Sequence, residues 1–111
     1  MEISFRTRKL ERVMTDAGEL VKHYGSDQAR RIQARLLDLR DAPNLAILAK
    51  LSQTRVHELK RDRAGQISID VRHPYRLLVK PDYDHPPRKS DGGLDWALVS
   101  KVVVLEIVDT H

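Results

Sequence analysis

The chain has no cysteine. Disulfides and thiolate metal sites are therefore excluded, and the composition fits a reducing compartment. No apolar run approaches the roughly 20 residues that a membrane-spanning helix needs. The opening Met1-Glu-Ile-Ser-Phe5 carries no signal-peptide core. A cytoplasmic chain without membrane contact is expected. There is no glycine-rich phosphate loop and no serine nucleophile elbow. No HExxH or paired metal-ligand spacing occurs either, so neither a metal nor a cofactor is expected. Internal repeats and low-complexity segments are also missing.

What remains is one small domain, residues 1–111, with room for a single core. Charged residues make up 32% and hydrophobic residues 41% of the chain, as suits a small body with much surface. The net charge of +4 permits a polyanionic partner such as nucleic acid without requiring one.

The chain reads as α+β. Ile3 and Phe5 alternate with polar neighbours, which predicts an edge strand over residues 2–6. Thr7 then caps a helix whose apolar positions run from Leu10 through Val13, Met14, Ala17, Leu20 and Val21 to Tyr24. Gly25 stops it. Ser26 starts a second helix with Ala29, Ile32, Leu36 and Leu39 on its apolar stripe, ended by Pro43. The short link predicts an antiparallel helical hairpin. Leu45, Ile47, Leu48 and Leu51 form one more short apolar segment. From Arg55 the period changes to two, with Ile67, Ile69 and Val71 on one side and Gln66, Ser68 and Asp70 on the other. Asp62-Arg-Ala-Gly65 is a turn in which the glycine needs a positive φ. His73-Pro74 makes the next turn, and a strand from Tyr75 ends at Pro81. Residues 81–100 form a long polar loop of the kind that is functional or disordered. Lys101 to Val108 is the most β-prone run and is expected to be a central strand.

If the helices cover one sheet face, the polar residues Arg55, His57, Lys60, Arg72, Arg76, Lys80, Asp109 and His111 collect on the other face or at its edges. A cationic face of that kind suits a phosphodiester backbone, because arginine forks pair with phosphate and lysine acts as a point charge. The alternative is a solvated face with charge pairs such as Lys60 with Asp62 or Arg76 with Asp70. His57 alone reads more readily as a structural hydrogen-bonding group than as a catalyst. Asp109 and His111 are two apart, so in a continuing strand they share a face, where the carboxylate can orient the imidazole for proton transfer.

The run Arg55-Val-His-Glu-Leu-Lys60, then Asp62, Gly65, Ser68-Ile-Asp-Val, Tyr75-Arg-Leu, and the closing Ile107-Val-Asp-Thr-His111 resembles HigB-type toxins of the RelE/ParE superfamily of toxin–antitoxin systems. The opening Phe5-Arg-Thr-Arg-Lys-Leu10 is also similar. The resemblance covers both ends and the middle, and residues 81–100 look like an insertion. It implies a RelE-like fold, with an N-terminal helical hairpin packed on a twisted antiparallel β-sheet. It implies a ribosome-dependent, metal-independent endoribonuclease (mRNA interferase) that cuts mRNA in the decoding site. It implies a HigA-type helix-turn-helix antitoxin as partner, operator DNA being bound only through that complex. Carried over by position, Lys60, Asp109, His111, Arg76 and His57 become the catalytic set. Arg55, Arg72 and Lys80, from the expected cationic face, are the RNA-binding candidates. A ParE-like inhibitor of DNA gyrase is the competing expectation on the same fold.

Two residues depart from the family pattern. Thr110 stands where the family often has tyrosine and cannot stack on a base. Arg61 stands where glycine is usual. Keeping a positive-φ turn there would cost an arginine about 1 kcal/mol. A displaced turn beside Lys60 and a weakened toxin, retained to bind its antitoxin, are the corresponding expectation.

Overall fold

The structure, a computed structural model, describes residues 1–110. It is an α+β domain in the order β1 (Glu2–Phe5), α1 (Arg8–Thr15), α2 (Ala17–Asp41), α3 (Leu45–Ala49), β2 (His57–Glu58), β3 (Ile67–Asp70), β4 (Tyr75–Pro81) and β5 (Lys101–Asp109). The strands form one sheet in the order β1-β5-β4-β3-β2.

Capping explains where the helices start. The Thr7 side chain accepts from the Leu10 N–H at 3.0 Å and opens α1. Thr15 ends it. Asp16 leaves the helical region (φ −118°, ψ 117°) and accepts from the Glu19 N–H, opening α2. The predicted unbroken helix from Leu10 to Tyr24 is therefore two segments. Asp16-Ala-Gly-Glu19 carries the cap spacing that splits it. Gly25 does reverse the chain: it sits inside α2 at φ 80°, ψ 163°. Met14 and Leu36, eleven residues to either side of it, line one groove. The helical segments before and after Gly25 thus lie against each other, as the hairpin expectation requires.

The sheet is mixed. β1 runs parallel to β5, while the β2–β3, β3–β4 and β4–β5 pairs are antiparallel. The expected all-antiparallel sheet is corrected at β1. A parallel neighbour needs a long crossover, and here everything between β1 and β5 supplies it. Alternation gives the face of a residue but not the direction of its strand. β5 lies inside the sheet between β1 and β4, and β1 is the edge.

Register assigns the two faces. Ile67, Ile69, Leu77, Val79, Val102 and Val104 face the helices and join Leu20, Ile32, Leu39, Leu45 and Leu48 in the core. Each fully buried side chain of this size contributes about 2 kcal/mol. Ser68, Asp70, Arg76, Leu78, Lys80 and Glu106 project from the other face.

The loop after β4 is ordered. Lys89 N–H donates to Gly93 O at 2.7 Å, Arg88 and Leu94 form an antiparallel bridge, and a 3-10 turn spans Trp96–Leu98. The Tyr83 hydroxyl accepts from the Ser100 N–H at 2.8 Å, and the Trp96 indole N–H donates to Glu58 at 3.2 Å. The first bond closes the loop at its base, and the second fastens it to β2. No helix among the described residues is long and apolar enough to cross a membrane.

Candidate functional site

The face turned away from the helices centres on Asp70. Its cross-strand neighbour Arg76 forms an ion pair with its carboxylate. Arg55 approaches the same carboxylate at 3.6 Å. Arg76 keeps 15% of its side chain exposed and Arg55 65%. From the opposite side, the buried Arg35 donates through Nε to the Asp70 carbonyl at 3.0 Å and through NH1 to Asp38 at 2.6 Å. One residue thus ties the helical layer to the polar face.

His57 lies in register with Ser68, which is opposite Leu78, which is opposite Glu106. Two strand spacings of about 4.8 Å separate His57 from β4. Leu78 has no exposed surface although it faces away from the helices. Arg63, in the turn between β2 and β3, reaches Glu106 on β5 at 3.6 Å. That ion pair crosses β4 over Leu78. Arg63 and Glu106 were not singled out in the sequence. By simple alternation Glu106 shares the phase of the core residues Val102 and Val104, and only the bulge turns it to the open face, so its charge in an apolar run was the one signal.

β2 is only two residues long because its flanks leave the strand conformation. Arg55 is left-handed (φ 40°, ψ 59°), and a 3-10 turn over Arg61–Arg63 follows Lys60. Arg61 itself has φ 60°. The arginine thus occupies a left-handed backbone conformation that favours glycine, and it bears the strain. Gly65 has φ 87°, as the turn chemistry required.

Lys60 and Lys80 line one cleft of about 840 Å³ between this turn and the start of the 81–100 loop, together with Arg61 and Arg88. Lys80 and Gln66 also line a shallower depression on the sheet beside Ser4 and Val103. The cleft is therefore continuous with the Lys80 end of the open face, and the Arg63–Glu106 pair over Leu78 stands between that end and Arg76.

Not every residue gathers there. The Arg72 guanidinium lies 3.4 Å from Asp27 on α2, and its backbone N–H donates to Gln28 at 2.7 Å. Arg72 thus turns to the helical side, where it lines a second cleft with His23, Tyr24, His73 and Tyr75. Asp109 pairs with Tyr75, one position out of phase with the Arg76–Val108 pair. The register puts Asp109 on the helical side of the sheet, away from Arg76. His111 lies outside the described residues. Arg55, His57 and Arg76 therefore share the open face, Lys60 and Lys80 share the adjoining cleft, and Arg72 and Asp109 join neither.

Two phenols are perturbed. Burial pushes Tyr24 above the usual phenol range. Burial also acts to raise Tyr83, but hydrogen bonds from Ser100 and the nearby Lys101 ammonium outweigh it and hold the phenol below that range. The Lys101 ammonium sits 4.8 Å from the centre of the Tyr83 ring. Among the described residues, no three His, Asp or Glu side chains group so as to hold a metal ion.

Comparisons of this chain with protein-family models, with curated proteins and with solved structures give no match.

Proposed function

We propose that this chain is the toxin of a type II toxin–antitoxin system, a HigB-type endoribonuclease that cuts mRNA on the ribosome and so inhibits translation. The observation that carries the reading is the meeting of Arg76, Arg55 and His57 on the one sheet face that the helices leave open, with Lys60 and Lys80 in the cleft that adjoins it. The residues on which the resemblance to HigB-type toxins rests include Arg55, His57, Lys60 and Arg76. A helical hairpin laid on one face of a small sheet agrees with a RelE-like architecture.

The chemistry follows from what RNA cleavage needs. The 2′-hydroxyl gives up a proton and attacks the adjacent phosphorus. The phosphorane gathers negative charge, and the departing 5′-oxygen takes up a proton. Arg76 offers a guanidinium with five N–H donors, of which Asp70 occupies only part, leaving others for phosphate oxygens. Lys60 adds a point charge. Both stabilise the charge that develops in the transition state. His57 supplies an imidazole on this face for proton transfer. Asp109 and His111 belong to the reading through the resemblance alone. The partners are a HigA-type helix-turn-helix antitoxin, the ribosome and its mRNA. Operator DNA is reached only through the antitoxin complex, and the setting is the cytoplasm.

A second reading, a catalytically weakened toxin kept to bind its antitoxin, is favoured by the strained Arg61 beside Lys60. Thr110 in place of a stacking tyrosine favours it too. The test is growth and message integrity after induction in a bacterium, beside Lys60→Ala and beside Arg61→Gly. Cuts in translated mRNA that disappear in Lys60→Ala support the nuclease. Arrest with intact message supports gyrase inhibition. Arrest only from Arg61→Gly supports the weakened toxin.

A further inference from the structure

The 81–100 loop has no part in the chemistry above, yet it builds one wall of the cleft that holds Lys60. Its position is fixed by the Arg88–Leu94 bridge, by the Asp95 N–H to Pro87 O bond of 2.9 Å and by the Trp96–Glu58 contact. Lys60 and Arg61 come from the facing turn, Lys80 from β4, and Arg88 from the loop itself. Arg88 is steadied by a 3.1 Å bond from one guanidinium nitrogen to Gly92 O, which leaves its remaining donors unused. Elsewhere the arginines of the sheet are paired: Arg55 and Arg76 with Asp70, and Arg63 with Glu106. Among the described residues, none of the four cations around the cleft forms an ion pair, although Asp82 and Asp84 line the same space.

We propose that this cleft holds single-stranded RNA through its phosphates, with Arg88 and Lys80 as binding residues that approach the strand from different walls. The inference rests on the nuclease reading and extends it, because it assigns the loop to the substrate. The volume, about 840 Å³, accommodates a nucleotide. Shared lining by Lys80 and Gln66 lets one strand run from the Lys80 end of the sheet face into the cleft. The mixed lining discriminates between polyanions. RNA carries phosphate acceptors for the four cations, and its 2′-hydroxyl and base amino groups donate to carboxylates such as Asp82 and Asp84. A run of glutamates has no side-chain donors to offer and would meet those carboxylates with like charge. Arg61 then has a use for its strained backbone: the φ of 60° is tolerated where its cation lines the cleft.

The experiment is fluorescence anisotropy with a short single-stranded oligoribonucleotide over a salt series, on the parent chain, Arg88→Ala, Lys80→Ala and Lys89→Ala. Lys89 belongs to the same loop but lines a different depression beside Trp96. It therefore removes the same charge from the same segment without touching the cleft. Arg88→Ala and Lys80→Ala are expected to bind about fivefold to tenfold more weakly, each lowering the slope of log affinity against log salt by roughly 0.7. Lys89→Ala is expected to bind as the parent does. Equal losses in all three variants, or no loss in Arg88→Ala and Lys80→Ala, overturn the proposal. So does poly-glutamate that competes as well as RNA and loses affinity in the same two variants. Cleavage of translated message is scored separately. Normal binding and cutting by Arg88→Ala defeats the cleft alone. Loss of binding in the cleft variants, with no cutting by the parent, defeats the nuclease and leaves the cleft standing.

Discussion

Asp70 and Arg76 face each other across β3 and β4, and the carboxylate of the first holds the guanidinium of the second against the open face of the sheet. With only 19% of the Asp70 and 15% of the Arg76 side chain exposed, neither charge is well served by water alone. Asp70→Asn should therefore destabilise the fold by about 2 kcal/mol, the scale of a hydrogen bond to a charged group lost with little solvent to replace it. Arg55→Ala, at the same carboxylate but 65% exposed, should cost under about 1 kcal/mol. Urea unfolding of the two variants checks the order, and equal costs would show that Arg76 does not depend on Asp70.

Arg35 reaches Asp70 from beneath. It is buried, and it satisfies both the Asp38 carboxylate and the Asp70 carbonyl. Arg35→Met should cost about 3 kcal/mol, because it leaves Asp38 without its cation. Adding Asp38→Leu should restore part of that loss, since two apolar side chains no longer strand a charge. A double-mutant cycle in urea measures the coupling.

Arg61→Gly should raise stability by about 1 kcal/mol, since glycine takes the φ of 60° without the steric cost an arginine meets there. If the RNA-cleft proposal holds, the same change weakens RNA binding. Stability and affinity moving in opposite directions would mark a residue whose strain is retained for its side chain. A rise in both would favour the weakened-toxin reading.

The two perturbed phenols should separate in an ultraviolet titration of the folded protein. Tyr83 ionises below the ordinary phenol range and Tyr24 above it. The linkage signs are opposite. Tyr24 is held neutral by the fold, so its contribution is complete below the unfolded phenol value and is lost as pH rises through that value toward its raised folded one. Tyr83 is favoured in its ionised form, so it adds stability as pH rises through its lowered folded value. Tyr24→Phe should therefore soften the alkaline fall in stability, and Tyr83→Phe should steepen it.

The elements legible in the sequence are those written in local chemistry. The alternation of Ile67, Ile69 and Val71 gave β3. Gly65 gave its turn, Pro81 the end of β4, and Thr7 the start of α1. The cross-strand pairing of Arg76 with Asp70 was among the charge pairs the spacing allowed. What was not legible depends on the third dimension or on competition between signals. Apolar spacing ran straight through Asp16, whose cap prevails because it satisfies the Glu19 N–H and its backbone has already left the helix. The direction of β1 follows from how the whole chain returns to it. The phase of Asp109 follows from β5 pairing, where a bulge at the Leu78/Val79 step shifts the count. Arg63 and Glu106 are 43 residues apart, so no local pattern joins them.

The central claim is tested most directly with purified components: ribosomes programmed with a defined message, the parent chain, and Arg76→Gln, with primer extension to find cuts. Cleavage by the parent is expected on ribosome-bound message, with little on naked message and a drop of at least about 100-fold in Arg76→Gln, the scale of losing one group that stabilises transition-state charge. An intact message on parent-treated ribosomes, in a preparation that instead blocks DNA supercoiling by gyrase, would contradict it.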